Sequence, residues 1–148
     1  MLSLQEISDR MEIEQLVVDY ADAIDSRRFD ILDQVFTPDA YIDYRAMGGV
    51  DGRYEEIKPW LKQALAKFPA YQHMVANQRI RLDGDTATGR VMCFNPMETV
   101  GPDGSRQVMF LGLWYCDRFV RTPQGWRMCE RVEERGWGHN VPGWVNAG

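Results

Sequence analysis

The chain has 148 residues, enough for one domain around one core, and its 45% hydrophobic and 26% charged content is that of an ordinary globular protein. A net charge of −5 speaks against non-specific binding to nucleic acid or to an anionic membrane, because both need a basic face. No apolar run reaches bilayer-spanning length.

Ser3 followed by Glu6 has the form of a capping box, and Ile7, Met11, Leu16, Val17, Tyr20 and Ile24 recur at helical spacing. The pattern predicts a first helix over residues 4–25. At about 100° per residue, Asp25 stands about 80° from Val17, at the edge of the buried stripe and at the helix end. A carboxylate there can lean into a cavity. Phe29, Leu32, Val35 and Phe36 predict a short second helix, stopped by Thr37-Pro38-Asp39 because proline cannot continue it. A short strand is expected over 40–45, then turns at Gly48-Gly49 and Asp51-Gly52. Ile57, Trp60, Leu61, Ala64, Leu65 and Phe68 predict a third helix, with Pro59 near its first turn.

From residue 71 the pattern changes to strands, at about 71–82, 86–98, 106–120 and 126–137. Asp83-Gly84-Asp85, Gly101-Pro102-Asp103-Gly104 and Thr122-Pro123-Gln124-Gly125 separate them with turn chemistry. Three N-terminal helices followed by long antiparallel hairpins indicate an α+β fold, a strongly bent sheet packed on helices with a cavity inside. The N-terminal residues lack a charged segment followed by an apolar one, so no signal peptide is expected. Cys93, Cys116 and Cys129 are odd in number with no CxxC spacing, the pattern of free thiols in a reducing cytoplasm.

The chemistry-bearing residues are few. The chain has only two histidines, His73 and His139. Imidazole takes a proton near neutral pH, and a histidine oriented by a carboxylate is a general base. His73, in Tyr71-Gln72-His73-Met74, would be such a base if it meets Asp25, in Tyr20-Ala21-Asp22-Ala23-Ile24-Asp25. Alternation places Val75 and Asn77 on the face of His73. His139 is expected at the surface or at a pocket lip. Two distant histidines without ordered cysteines make a poor metal site, and no serine-hydrolase, Walker or dinucleotide motif occurs. Asp22 and Asp25 share one helix and make a poor glycosidase pair.

Those two segments, with Tyr41-Ile42-Asp43-Tyr44-Arg45 and Gly125-Trp126-Arg127, occur in an order and spacing that resembles the SnoaL-like branch of the nuclear-transport-factor-2-like superfamily, on its scytalone dehydratase-like side. The resemblance covers nearly the whole chain and makes residues 1–148 a single such domain. It implies a cone-shaped α+β barrel, a curved mixed sheet with three helices and a ligand cavity. It also implies a cofactor- and metal-free homo-oligomer, a trimer ahead of a dimer. His73 would remove a proton, Asp25 would orient it, and Tyr44 and Tyr20 would polarise the substrate carbonyl. Arg131 matches a pocket arginine. The chain departs from scytalone dehydratases at Ile24, Asn95, Met97, Leu113 and Tyr115, where that group carries polar clamp residues, so scytalone itself is not the expected substrate.

The reading that results is a dehydratase-type lyase acting on a small, apolar, carbonyl-activated molecule in the cytoplasm. Catalysis falls to His73, Asp25, Tyr44 and Tyr20, with a tyrosine stabilising the enolate and assisting the leaving hydroxyl. Substrate contacts are expected from Arg131, Asn95, Tyr115, Met97 and Leu113, with Met92, Phe94, Phe110, Met109 and Trp114 among the apolar lining. Alternation puts Arg127, Cys129, Arg131, Glu133 and Arg135 on one face. That face is either solvated or carries a pocket arginine paired with Glu133. The rivals are a ketosteroid-isomerase-like proton shuttle using the same base and a ligand-binding module without turnover.

Overall fold

The computed structural model describes residues 1–146. Helix α1 runs Leu4–Asp25 and starts where the sequence puts it. The Ser3 hydroxyl accepts from the Glu6 amide at 3.1 Å, and the Glu6 carboxylate accepts from the Ser3 amide at 2.7 Å. Helix α2 runs Tyr54–Leu65, three residues earlier at both ends than the apolar spacing suggests, with Pro59 inside it. The expected second helix is a 3₁₀ segment, Phe29–Gln34.

Six strands form one sheet in the order β2-β1-β6-β5-β4-β3. They are β1 Phe36–Asp43, β2 Asp51–Arg53, β3 Met74–Asp83, β4 Thr86–Val100, β5 Arg106–Thr122 and β6 Gly125–His139. β3 to β6 pair antiparallel through the three expected turns. β1 joins β6 in parallel and β2 antiparallel, so the sheet is mixed. It is curved and unclosed, with the helices packed on its concave face.

Thr37-Pro38-Asp39 does not stop a helix but lies within β1. Its pairing with β6 shifts between Phe36 and Tyr41. Proline, with no amide to donate, is tolerated in a strand at such an irregularity. Two further register shifts bend the β5–β6 hairpin, between Gly112 and Leu113 and between Arg118 and Phe119. At the first, the Trp137 indole lies where any side chain at position 112 would sit, so glycine is required there. The second leaves Cys129 unpaired between Met128 and Glu130. An extra residue in one strand reverses which side chains face inward. Trp126 and Met128 point into the core before the bulge, and Arg131 does so after it. The run from Arg127 to Arg135 is therefore not one face.

A single cluster of buried apolar side chains joins α1, α2 and the concave side of the sheet. The three cysteines are free. Among the described residues, no helix is long and apolar enough to cross a membrane.

Candidate active site

A cavity of about 350 Å³ opens between the C-terminal half of α1, α2 and the concave side of β4, β5 and β6. That is within the usual range for small-molecule sites. Its wall is mostly apolar and includes Ile24, Trp60, Leu61, Met97, Met109 and Leu111. Trp144 and Val145, in a 3₁₀ turn at Gly143–Asn146, close one side, and Trp144 packs on Phe68 with ring centres 5.6 Å apart.

Asp25 is the last residue of α1, and its carboxylate reaches the segment just before β3. One oxygen lies 2.7 Å from His73 Nδ1, and the other accepts from the His73 backbone amide at 2.9 Å. A carboxylate oxygen accepts, so Nδ1 carries a hydrogen and Nε2 is left for other contacts. His73 borders the cavity, and its side chain is only 9% exposed. The segment that carries it is pinned from several sides. Tyr71 donates to the Ile24 carbonyl at 3.0 Å and meets the His73 ring edge-on. Asn95 donates to the Gln72 carbonyl at 2.9 Å, and the Gln72 amide donates to Pro96. Residues 71–73 are thus not a strand, which begins at Met74. Asn77 has a positive φ of 48° at a register shift in β3 and is exposed, so it does not share the face of His73.

Across the cavity, the Tyr20 and Tyr44 hydroxyls lie 2.5 Å apart. Both rings are buried and both residues line the cavity. Burial pushes the Tyr20 phenol up to about 12, against the pull of Arg131, and drives Tyr44 well above its ordinary value. Both are therefore neutral donors at neutral pH. One hydrogen is used between the two oxygens, so the pair has one hydrogen left for a ligand.

Arg131 is fully buried, but it neither lines the cavity nor pairs with Glu133. Its Nε and Nη2 make a forked pair with Asp117 at 2.8 Å each, and neither side chain is exposed. The guanidinium lies 4.2 Å from the Tyr20 ring centre and 3.8 Å from that of Tyr115. It backs the two tyrosines rather than touching the cavity space. Leu113 is also corrected: it is buried opposite Cys93, outside the lining. Asn95, Met97 and Tyr115 do border the cavity, as does Met109. Phe94 and Phe110 stack at 6.1 Å on the convex side with Trp137, and His139 packs on Phe110. Met92 and Trp114 lie outside the lining too.

The sequence reading passed over Trp60, Trp144 and Glu133 as lining residues in their own right. Trp60 was legible as a helix residue. Trp144 and Glu133 carry no local signal for the cavity, because their placement follows from chain return and from the Cys129 bulge. Among the described residues, no cluster of histidine, cysteine, aspartate or glutamate is arranged to hold a metal ion.

A curved sheet encloses a small cavity with a carboxylate-held histidine on its wall, on a fold shared with solved nuclear-transport-factor-2-like proteins. The SnoaL-like domain family matches residues 5–132, and the chain belongs to it. The uncharacterized protein Rv2910c of Mycobacterium tuberculosis strain H37Rv is 64% identical over 135 residues, covering 91% of this chain and 90% of its own. The Kfla4162 protein of Kribbella flavida superposes with a TM-score of 0.84 at 24% identity, covering 95% of this chain and 98% of its own. The hexachlorocyclohexane dehydrochlorinase LinA-type3 of Novosphingobium barchaimii LL02 superposes with a TM-score of 0.81 at 16% identity, covering 95% and 94%. At these identities the two structures speak to the fold.

Proposed function

We propose that the chain is a cofactor-independent lyase that eliminates water from a small, apolar substrate with an activating carbonyl. The observation that carries this reading is His73, fixed by two contacts from Asp25 at the wall of an apolar cavity. In this reading the free Nε2 removes the proton next to the carbonyl. Asp25 holds the tautomer and stabilises the imidazolium that forms. The one free hydrogen of the Tyr20–Tyr44 pair binds the carbonyl oxygen as it gains charge. The enolate then expels the hydroxyl from the neighbouring carbon. The cavity volume suits a polyketide, aromatic, terpenoid or steroid-like compound. The LinA relative, by its name, eliminates from a chlorinated ring, which is in keeping with this class of reaction.

The assembly expected with this reading is a homotrimer, with a dimer as the alternative, and sedimentation decides between them. The site in the cytoplasm is likewise part of the proposal. The test of function is incubation with a panel of β-hydroxy ketones, hydroxylated steroids and phenolics, followed by enone absorbance and mass loss of water. Loss of turnover in His73→Ala with ligand affinity retained supports the reading. Solvent deuterium entering a substrate that keeps its oxygen would replace it with an isomerase. Binding that is indifferent to His73→Ala and gives no turnover would replace it with a binding module.

A further inference from the structure

One acidic side chain in the cavity has no part in the scheme above. Glu133 lies on β6, opposite Tyr115, and borders the same space as His73, Tyr20 and Tyr44. Its Oε2 is buried and has no hydrogen-bond partner. Among the described residues it makes no ion pair: the neighbouring Arg131 turns Nε and Nη2 to Asp117, and its Nη1 is buried without a partner. Native proteins rarely leave a buried carboxyl oxygen unpartnered. Such an oxygen in a cavity wall is either waiting for a ligand or carries a proton of its own.

The elimination also lacks a group. Loss of hydroxide near neutral pH needs a proton on the departing oxygen, because hydroxide is a poor leaving group. His73 cannot supply one while acting as base. The Tyr20–Tyr44 pair has one hydrogen to spare, and the carbonyl takes it.

Resting on the lyase reading, we infer that Glu133 is the general acid that protonates the leaving hydroxyl. The steps balance as follows. His73 Nε2 takes the α-proton, and the C–H electrons form the enolate double bond. The enolate collapses, its electrons form the new C=C bond, and the C–O bond to the neighbouring carbon breaks. The Glu133 O–H proton goes to that oxygen, and water leaves. Glu133 is then a carboxylate and His73 an imidazolium. Exchange of one proton each with solvent restores both.

The surroundings of Glu133 keep it protonated. Burial is the largest influence and raises its carboxyl to about 8. Arg131 on the same strand opposes this, Asp43 on β1 adds to it, and the Met47 backbone opposes it weakly. The other titratable groups near the site are the His73–Asp25 pair, the Cys93 thiol, which burial pushes up to about 12, and the phenols of Tyr20, Tyr44 and Tyr115, which burial keeps neutral at pH 7. Asp117 is spent on Arg131. Glu133 thus holds its proton near neutral pH, as the acid of an acid–base pair must.

The test uses two probes that differ only in the leaving group: the β-hydroxy ketone formed from benzaldehyde and acetone, and its β-chloro counterpart. Chloride leaves without a proton, so only the first needs the acid. Glu133→Gln is expected to slow water loss by about 10²- to 10⁴-fold and to leave chloride loss within about threefold of wild type. His73→Ala is expected to abolish both. Equal effects of Glu133→Gln on the two probes, or none on either, overturn the role of Glu133 and leave the lyase reading standing. Turnover of neither probe by the wild-type protein overturns the reading and the role together. Infrared difference spectroscopy reads the proton without any substrate. A protonated carboxyl stretch at pH 7 that disappears in Glu133→Gln and on raising the pH past about 8 is expected. Its absence overturns the inference whatever the kinetics, and Glu133→Asp, which keeps an acid, is expected to restore part of the water loss that Glu133→Gln removes.

Discussion

Asp117→Asn isolates what the buried ion pair does for the site. The Asp117 carboxylate and Arg131 guanidinium meet through two 2.8 Å contacts, and neither side chain touches solvent. Asparagine keeps the shape, loses the charge and leaves the guanidinium buried without a counterion. Breaking a buried pair from one side costs about 3–5 kcal/mol. For 148 residues at about 2.1 cal/mol/K per residue, the unfolding entropy near the midpoint is about 310 cal/mol/K. The melting temperature should therefore fall by about 10–16 °C. Circular dichroism melting of wild type and variant reads this directly. The paired change Asp117→Leu with Arg131→Met removes both charges and should recover most of the loss, because apolar replacement of a whole pair is often neutral. A drop under about 4 °C for Asp117→Asn, or a paired variant as unstable as the single one, would show that the pair is not what holds this part of the core.

Two other outcomes follow from local geometry. Asp9 accepts from both Arg121 amino groups, from the Trp126 indole and from Gln5, and these contacts, Arg121 foremost, hold its carboxyl far below the usual range against the pull of burial. Its folded value lies below its unfolded one, so its contribution is present above about pH 4 and is lost as pH falls; urea unfolding should show Asp9→Asn weaker than wild type by about 2–3 kcal/mol at pH 7, with the gap about 1 kcal/mol smaller at pH 3. An unchanged gap would refute the assignment. Gly49→Ala places a Cβ 2.7 Å from Tyr44 Cβ and 2.9 Å from Trp60 Cη2, so Tyr44 must move; folding should survive at a cost of about 1–3 kcal/mol, while the elimination rate drops about 10²-fold. A rate equal to wild type, with the cost in stability present, would remove Tyr44 from the chemistry.

What the sequence made legible was what depends on near neighbours along the chain. The capping box of α1 is closed by Ser3 and Glu6 themselves, and the turns between β3, β4, β5 and β6 are marked by their own glycines and prolines. The helical repeat placed Asp25 at the end of α1, and the family resemblance supplied His73 as its partner. Features that depend on two strands at once were not readable. Pro38 signals a break locally, yet β1 accepts it where its pairing with β6 shifts. Strict alternation along β6 predicts one face for residues 127–135, and the bulge at Cys129 changes the phase halfway. That phase change turns Arg131 inward to Asp117, its partner across the hairpin, and brings Glu133 to the cavity wall. The same irregular residue that defeats the sequence pattern therefore builds two parts of the site. The bulge thus does for β6 what the helix end does for Asp25: it aims an acidic side chain that the regular repeat would have directed elsewhere.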